Sequence, residues 1–276
     1  MNIFLTGGTG FIGSHFLAQA LQAGHHVKAI RRAGRGARVP LSREPMWLDG
    51  ALGADWSGPL DGCDALVHLA AVGVSPQKAT WDELFQVNVL DSLRLWRQAA
   101  DAGVKRFVIC GSCMEYGRSG DRYPAIPPDA PLEPVTAYGA AKAASSMAAL
   151  ALAAERKLEL LVSRPFSIFG EGQHEGNLWP SLRKAALGGA DFPMTPGEQV
   201  RDFVPVEAVA KTFLAALDRT DLRAGIPRVE NAGTGKPQTL RAFAEHWWRH
   251  WNARGNLRIG ALPYRDNEVM RFVPQI

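Results

Sequence analysis

The first thirteen residues constrain the chain most. Met1–Thr6 is a short apolar run of strand length, and it breaks at once into Gly7-Gly8-Thr9-Gly10-Phe11-Ile12-Gly13. An amphipathic stretch follows, with Ile12, Phe16, Leu17, Ala20 and Leu21 at helical spacing, and it ends at Gly24. Strand, glycine turn and helix in this order predict a dinucleotide-binding unit. Gly7 permits the tight turn, Gly10 lets the backbone approach a pyrophosphate, and Gly13 lets helix and strand pack closely. Phe11 and Ile12 then open the helix, where free N–H groups and the positive dipole end face phosphate. The plain alternative is a glycine-rich turn that holds nothing.

The spacing is G-x-x-G-x-x-G, and GGTGFIG resembles the extended, nucleotide-sugar-modifying branch of the short-chain dehydrogenase/reductases, the NAD-dependent epimerase/dehydratase family. The resemblance implies an α/β fold, a Rossmann-type doubly wound parallel sheet with a small C-terminal substrate-binding lobe. Residues 1–166 are expected to form the dinucleotide-binding part, with 201–230 partly returning to it. The lobe is expected from 167–200 and 231–276, where Gly- and Pro-rich texture replaces the alternation of strand and helix.

With 276 residues and 46% hydrophobic content, the chain can bury a sizeable core. Its charges sum to 31 − 27 = +4 and cluster only at Arg31–Arg43, which fits an anionic small ligand better than nucleic acid. Cys63, Cys110 and Cys113 lack metal-ligand spacing, so no metal site is expected and a reducing, cytoplasmic compartment is. The opening strand leaves no room for a signal peptide, and Ala143–Ala154 is too short to span a bilayer.

Strands are read at His26–Ile30, at a run ending in Leu48-Asp49, and at Ala65–Ala71, Lys105–Gly111 and Leu158–Pro165, with a long helix over Trp81–Ala102. Arg31 stands eighteen residues past Gly13, about where an acid binds the ribose 2′-hydroxyl of NAD. A guanidinium there, followed by Arg32 and Arg35, suits a 2′-phosphate, so NADP(H) is expected over NAD(H). The resemblance assigns Asp49 to the adenine, the stretch around Leu69, Ala70 and Ala71 to the cofactor, Asn88 to a supporting position, and Pro165 and Ile168 to the nicotinamide side. Asn88 is equally readable as a solvent-edge residue.

Tyr138 and Lys142 lie four apart at the start of an alanine-rich helix running to about Lys157, and so share a face. A phenol is a poor acid–base group at neutral pH, and a nearby ammonium lowers its pKa. Ser112 stands at the C-terminal end of a strand, where ligands of open α/β sheets sit. The three match the superfamily's Ser, Tyr and Lys, which move a proton at an oxygen while the cofactor exchanges hydride at the carbon. The resemblance also implies a substrate set of Ser112, Cys113, Ser167, Asn177, Leu178, Arg201 and Arg265, the arginines against a diphosphate, and a homodimer formed through the Tyr138 helix and the preceding long one. For the dimer contact the apolar residues Ala143, Ala144, Ala148, Ala149, Leu152 and Ala153 are the candidates. Family members usually continue into a further C-terminal helix, so a minimal or truncated lobe is expected.

Dehydratases of the family carry a Glu, often preceded by Asp, just after the serine or threonine. Here Cys113 and Met114 hold those places, and Glu115 is one position out of register. GSCMEYG resembles instead the pattern of some nucleotide-4-keto-6-deoxysugar reductases, so an NADPH-dependent 4-ketoreductase is the leading expectation. A nucleotide-sugar 4-epimerase with the same three residues is the alternative. A non-enzymatic NADP(H)-sensing protein is a remoter one, because such proteins typically lose the Tyr or Lys.

Overall fold

The structure, a computed structural model, describes residues 1–264 and 268–276. Six strands come in turn, with helices between them except between the second and third: β1 (Asn2–Thr6), β2 (His26–Arg31), β3 (Met46–Asp49), β4 (Ala65–His68), β5 (Arg106–Cys110) and β6 (Glu159–Pro165). A further strand, Arg228–Ala232, completes a seven-stranded sheet ordered Arg228–Ala232, β6, β5, β4, β1, β2, β3. Every pairing is parallel. The order reverses beside β1, and this is where an open parallel sheet forms its ligand crevice.

Both faces of the sheet are covered. On one side Phe16, Leu17, Ala20 and Leu21 of the Phe11–Gln22 helix pack with Ile3, Leu5, Val209 and Phe213. On the other, Trp96, Leu95 and Ala99 meet Phe4, Leu66, Phe107 and Leu152. Double-sided burial explains why β4 is apolar along its length rather than alternating.

The expected long helix is divided. Trp81–Phe85 and Ser92–Asp101 are α-helical, and Gln86–Asp91 between them is a π turn. The Thr80 side chain and Glu83 form a reciprocal capping box at its start. Within the wide turn the Ser92 hydroxyl donates to Val87 O at 3.0 Å.

The stretch Val200–Val204 is also divided, between two sheets. Val200–Arg201 pairs with Gln238–Thr239 and Arg271–Phe272, whereas Phe203–Pro205 pairs with Ser167–Phe169. Asp202 between them is fully buried and accepts from the backbone N–H groups of Thr234 and Gly235 at 2.7 and 2.8 Å. The Val206–Ala215 helix then lies against the Phe11–Gln22 helix. The Arg228–Ala232 strand straddles the expected boundary at residue 230 and belongs wholly to the main sheet.

An aromatic cluster fills the region of the Leu178–Gly188 and Leu240–His250 helices. Phe203 stacks on Phe243 at 3.9 Å, and Trp179 meets Trp247 and Trp251 at 5.6 Å each. Trp248 is buried with Leu182, Ala186 and Met194. Among the described residues no helix is long and apolar enough to cross a membrane.

Candidate active site

The glycines of the first turn have separate, measurable reasons. Gly7 takes φ +75°, and a Cβ on it would stand 2.6 Å from Ala70 N. A Cβ on Gly13 would lie only 1.9 Å from Gly7 O. The turn is closed by Gly10 N donating to Gly7 O at 2.8 Å. Gly10 is the N-cap of a helix whose first residues are Phe11 and Ile12. This cradle, too narrow for any side chain and backed by a helix N-terminus, fits the pyrophosphate of a dinucleotide.

Loop 69–72 runs beside it. Thr6 holds this loop, its carbonyl accepting from Leu69 N at 3.2 Å and its hydroxyl from Ala70 N at 3.2 Å. Asn88 is buried; its side chain accepts from Val72 N at 2.9 Å and donates to Val72 O at 3.1 Å. Asn88 therefore braces the loop carrying Ala70 and Ala71, and the solvent-edge reading does not hold. Behind the loop, His68 sits between the hydroxyls of Thr6 and Ser92 at 3.0 and 3.1 Å. Burial pushes its pKa down to about 3, so it is a neutral hydrogen-bonding link. Neither Thr6 nor Ser92 stood out in the sequence.

At the far edge, Arg31 and Asp49 are register neighbours of β2 and β3. Arg31 Nε donates to Asp49 at 2.7 Å, its Nη1 donates to Arg35 O at 3.2 Å, and its guanidinium lies 5.0 Å over Trp47. Arg32 is exposed beside it.

Ser112 follows β5 and is 8% exposed. Its side chain accepts from Met114 N at 3.2 Å while Glu115 accepts from Ser112 N at 2.7 Å, the two halves of a capping box on a single turn, Cys113–Glu115. The helix bearing Tyr138 and Lys142, Ala137–Arg156, starts at the Thr136 N-cap, whose hydroxyl accepts from Gly139 N at 3.0 Å. It can approach the serine turn closely only because residue 139 is glycine: a Cβ there would stand 2.5 Å from Met114 O. Ser112, Tyr138 and Lys142 are thereby brought together at the end of β5.

Lys142, expected to lower the Tyr138 pKa, is engaged with the backbone here. Lys142 is buried and donates to Cys110 O at 2.7 Å. The phenol is pushed upward, chiefly by burial and secondarily by Cys110, with the Ser112 hydroxyl pulling the other way.

Cys113 is partly exposed, and burial of its thiol pushes the pKa up to about 12. A thiol held protonated cannot stand in for the carboxylate that dehydration needs. Glu115 points away from such a role: it is completely buried and paired with Arg164 at 2.8 Å.

On the substrate side, Pro165 ends β6, and Ser167 and Ile168 form the short strand beside Phe203–Pro205. Asn177 is the N-cap of the Leu178–Gly188 helix and leaves its side chain out of the cap. Arg201 is held by Glu268 at 3.1 Å and by Val269 O at 2.5 Å, and lies close enough to act electrostatically on the Cys113 thiol. Arg265 lies outside the described residues. Among those described, no group of three or more acidic, His or Cys side chains could hold a metal ion.

A parallel sheet with a glycine cradle at its switch point and a Ser, Tyr and Lys set at a neighbouring strand end defines a nucleotide-cofactor oxidoreductase. More narrowly, residues 3–233 match the NAD dependent epimerase/dehydratase family, and the chain belongs to it. It is an enzyme of the extended short-chain dehydrogenase type. UDP-glucose 4-epimerase from Corynebacterium glutamicum is 30% identical over 265 residues, 89% of this chain and 79% of that one. The dTDP-6-deoxy-L-talose 4-dehydrogenase (NAD(+)) of Aggregatibacter actinomycetemcomitans is 26% identical over 98% of both chains. Among solved structures, MoeE5 in complex with UDP-glucuronic acid and NAD superposes with a TM-score of 0.85 at 26% identity, covering 100% of this chain and 90% of that one.

Proposed function

We propose that the protein performs redox chemistry at carbon 4 of a nucleotide-linked sugar, as a 4-epimerase. The observation that carries this is the gathering of Ser112, Tyr138 and Lys142 at the end of β5, with the carboxylate of that turn, Glu115, taken up by Arg164. The relatives support the epimerase over the reductase expected from the sequence, since UDP-glucose 4-epimerases recur among them.

A nicotinamide dinucleotide bound in the Gly7–Gly13 cradle supplies the hydride acceptor and donor. Tyr138 exchanges the proton of the 4-oxygen, and Ser112 hydrogen-bonds that same oxygen. Lys142, released from Cys110 O, holds the ribose hydroxyls and favours the phenolate. Asn177, Leu178 and Arg201 bind the nucleotide diphosphate, with Ser167 and Cys113 beside the sugar.

For the cofactor, the Arg31–Asp49 pair favours NAD(H) over the NADP(H) expected from Arg31 alone. A 2′-phosphate dianion would have to share that guanidinium with a carboxylate already 2.7 Å away. Two relatives are likewise described with NAD. The second reading, an NADPH-dependent 4-ketoreductase, draws support from the Arg31, Arg32 and Arg35 cluster and from the full-length match to a sugar 4-dehydrogenase.

We further propose a homodimer. Four of the expected contact residues, Ala143, Ala149, Leu152 and Ala153, are spent within this chain's own core. Leu90 and Met147, on the two adjacent helical segments, are 56% and 58% exposed and offer the contact instead.

The test incubates purified protein with UDP-glucose or UDP-galactose and follows the sugar by NMR alongside nicotinamide absorbance. Interconversion without net change in absorbance is expected. Stoichiometric NADPH oxidation with a nucleotide-linked 4-keto-6-deoxysugar would establish the reductase instead, and inertness in both assays would refute carbon-4 chemistry.

A further inference from the structure

Directly beneath Ser112 lies an ion pair that the proposed chemistry does not use. Glu115 is fully buried and Arg164, on β6, is 3% exposed. The carboxylate divides its oxygens: one accepts from Ser112 N at 2.7 Å, the other from Arg164 Nε at 2.8 Å. The guanidinium also donates to Tyr116 Oη and to Pro128 O, both at 3.0 Å, and covers the Tyr116 ring at 4.7 Å. Tyr116 passes the connection on, donating to Asn231 at 2.6 Å on the neighbouring edge strand. The packing is tight enough to demand glycine at 111, where a Cβ would meet Glu115 Oε1 and Arg164 Cγ at 2.8 Å each.

A capping box ordinarily sits at an exposed helix start, and there a neutral glutamine serves as well as glutamate. Here it closes one short turn inside the protein. Burying both charges costs solvation that their attraction roughly returns, so stability alone does not account for the pair. What the arrangement does supply is geometry. A charge-assisted bond fixes the Ser112 backbone, and a forked guanidinium anchored on β6 fixes the carboxylate.

We propose that Glu115 and Arg164 are positioning residues, a buried ionic clamp that aims the Ser112 hydroxyl at the reacting oxygen. The inference rests on the carbon-4 reading for what Ser112 does, though not for the clamp's grip on it.

Two measurements test it. In turnover, Glu115→Gln is expected to lower kcat by about 10²-fold, the scale of a 1 Å misplacement, with KM and cofactor Kd within about threefold of wild type. Because an unpaired Arg164 could unfold that variant, the double variant Glu115→Leu/Arg164→Met removes both charges together. It is expected to fold and still turn over slowly; wild-type kcat in the folded double variant would overturn the proposal. The second measurement needs no substrate. Tyr138 ionisation is followed by ultraviolet difference titration, with Tyr138→Phe subtracted, in wild type, Ser112→Ala, Glu115→Gln and the Ser112→Ala/Glu115→Gln double variant. If the clamp acts through Ser112, the two shifts are non-additive. Additive shifts would mean that Glu115 acts on Tyr138 only as a distant charge, and would overturn it. Failure of wild type to convert any nucleotide sugar, with non-additive shifts, would sink the proposed function and leave the clamp standing.

Discussion

Replacing Gly13 with alanine isolates the geometry of the cofactor cradle. Gly13 lies in the Phe11–Gln22 helix and is not among the glycines with positive φ, so backbone preference favours alanine there by about 1 kcal/mol. The new Cβ, however, would stand 1.9 Å from Gly7 O, 2.6 Å from Gly7 C and 3.1 Å from Gly8 Cα. All three are backbone atoms, and the first belongs to the carbonyl that closes the turn onto Gly10 N. They cannot swing aside as a side-chain tip would, so helix and turn must separate. Overpacking of this kind costs about 1–3 kcal/mol and more where backbone must move. Taking about 3 kcal/mol against the helical gain leaves a net loss of roughly 2 kcal/mol. At about 2–4 °C per kcal/mol for a domain of this size, Tm falls by about 4–8 °C. The shift of the turn also misaligns the cradle, so dinucleotide affinity falls together with stability. Gly188→Ala is the matched control: Gly188 is exposed, lies in the last turn of the Leu178–Gly188 helix, and its Cβ would meet nothing within 4 Å. It should be neutral or stabilising by up to about 1 kcal/mol. Thermal melts and fluorescence titration with NAD+ read both quantities. A Gly13→Ala protein as stable as wild type, binding cofactor equally well, would refute the reasoning.

Tyr138→Phe should cut turnover by about 10²–10⁴-fold while cofactor binding, by fluorescence titration, stays within twofold or so of wild type. His68 carries a pH signature: burial holds its pKa at about 3, below the ordinary imidazole value of 6.5. Its stabilising contribution is complete above pH 6.5 and is lost as pH falls towards 3, because only the unfolded state takes up the proton. Urea melts should show an excess loss near 1.4 kcal/mol per pH unit in that window relative to His68→Gln. Arg31→Asp should raise the NAD(H):NADP(H) affinity ratio by at least about tenfold, since a charged contact is worth about 1.5–3 kcal/mol; an unchanged ratio would remove Arg31 from the adenosine end. Met147→Glu should shift sedimentation towards monomer at micromolar concentration, and a wild type already monomeric would dispose of the dimer.

Legibility in the sequence followed the range of the interactions. The opening strand, turn and helix were readable because their signals are local: apolar run, glycine spacing and 3.6-residue periodicity. The Ala137–Arg156 helix was readable for the same reason, down to its left-handed end at Lys157. The π turn was not, because one widened turn barely disturbs an apolar stripe averaged over a long window. Nor was the seventh strand: Arg228 and Glu230 look like surface charges until Arg219 and Asp221 are seen pairing with them. The setting of Arg31 was hidden on the same ground. Arg31 is a bare cation in the sequence, and only strand order sets Asp49 beside it. The Glu115–Arg164 clamp joins a loop to the next strand, 49 residues away, which no local pattern encodes.

Asp202 has a mechanical consequence. The chain leaves the main sheet's neighbourhood and comes back through adjacent passages, one at 201–203 and one at 232–235. A single carboxylate stitches them, with Thr234 donating its hydroxyl at 2.6 Å as well as its amide. Gly233 leaves no slack, since a Cβ there would touch the same carboxylate at 2.6 Å. The two passages are thus fastened into one unit. Any displacement of Thr234 and Gly235 must therefore carry Asp202, and with it the flanking Arg201 and Phe203.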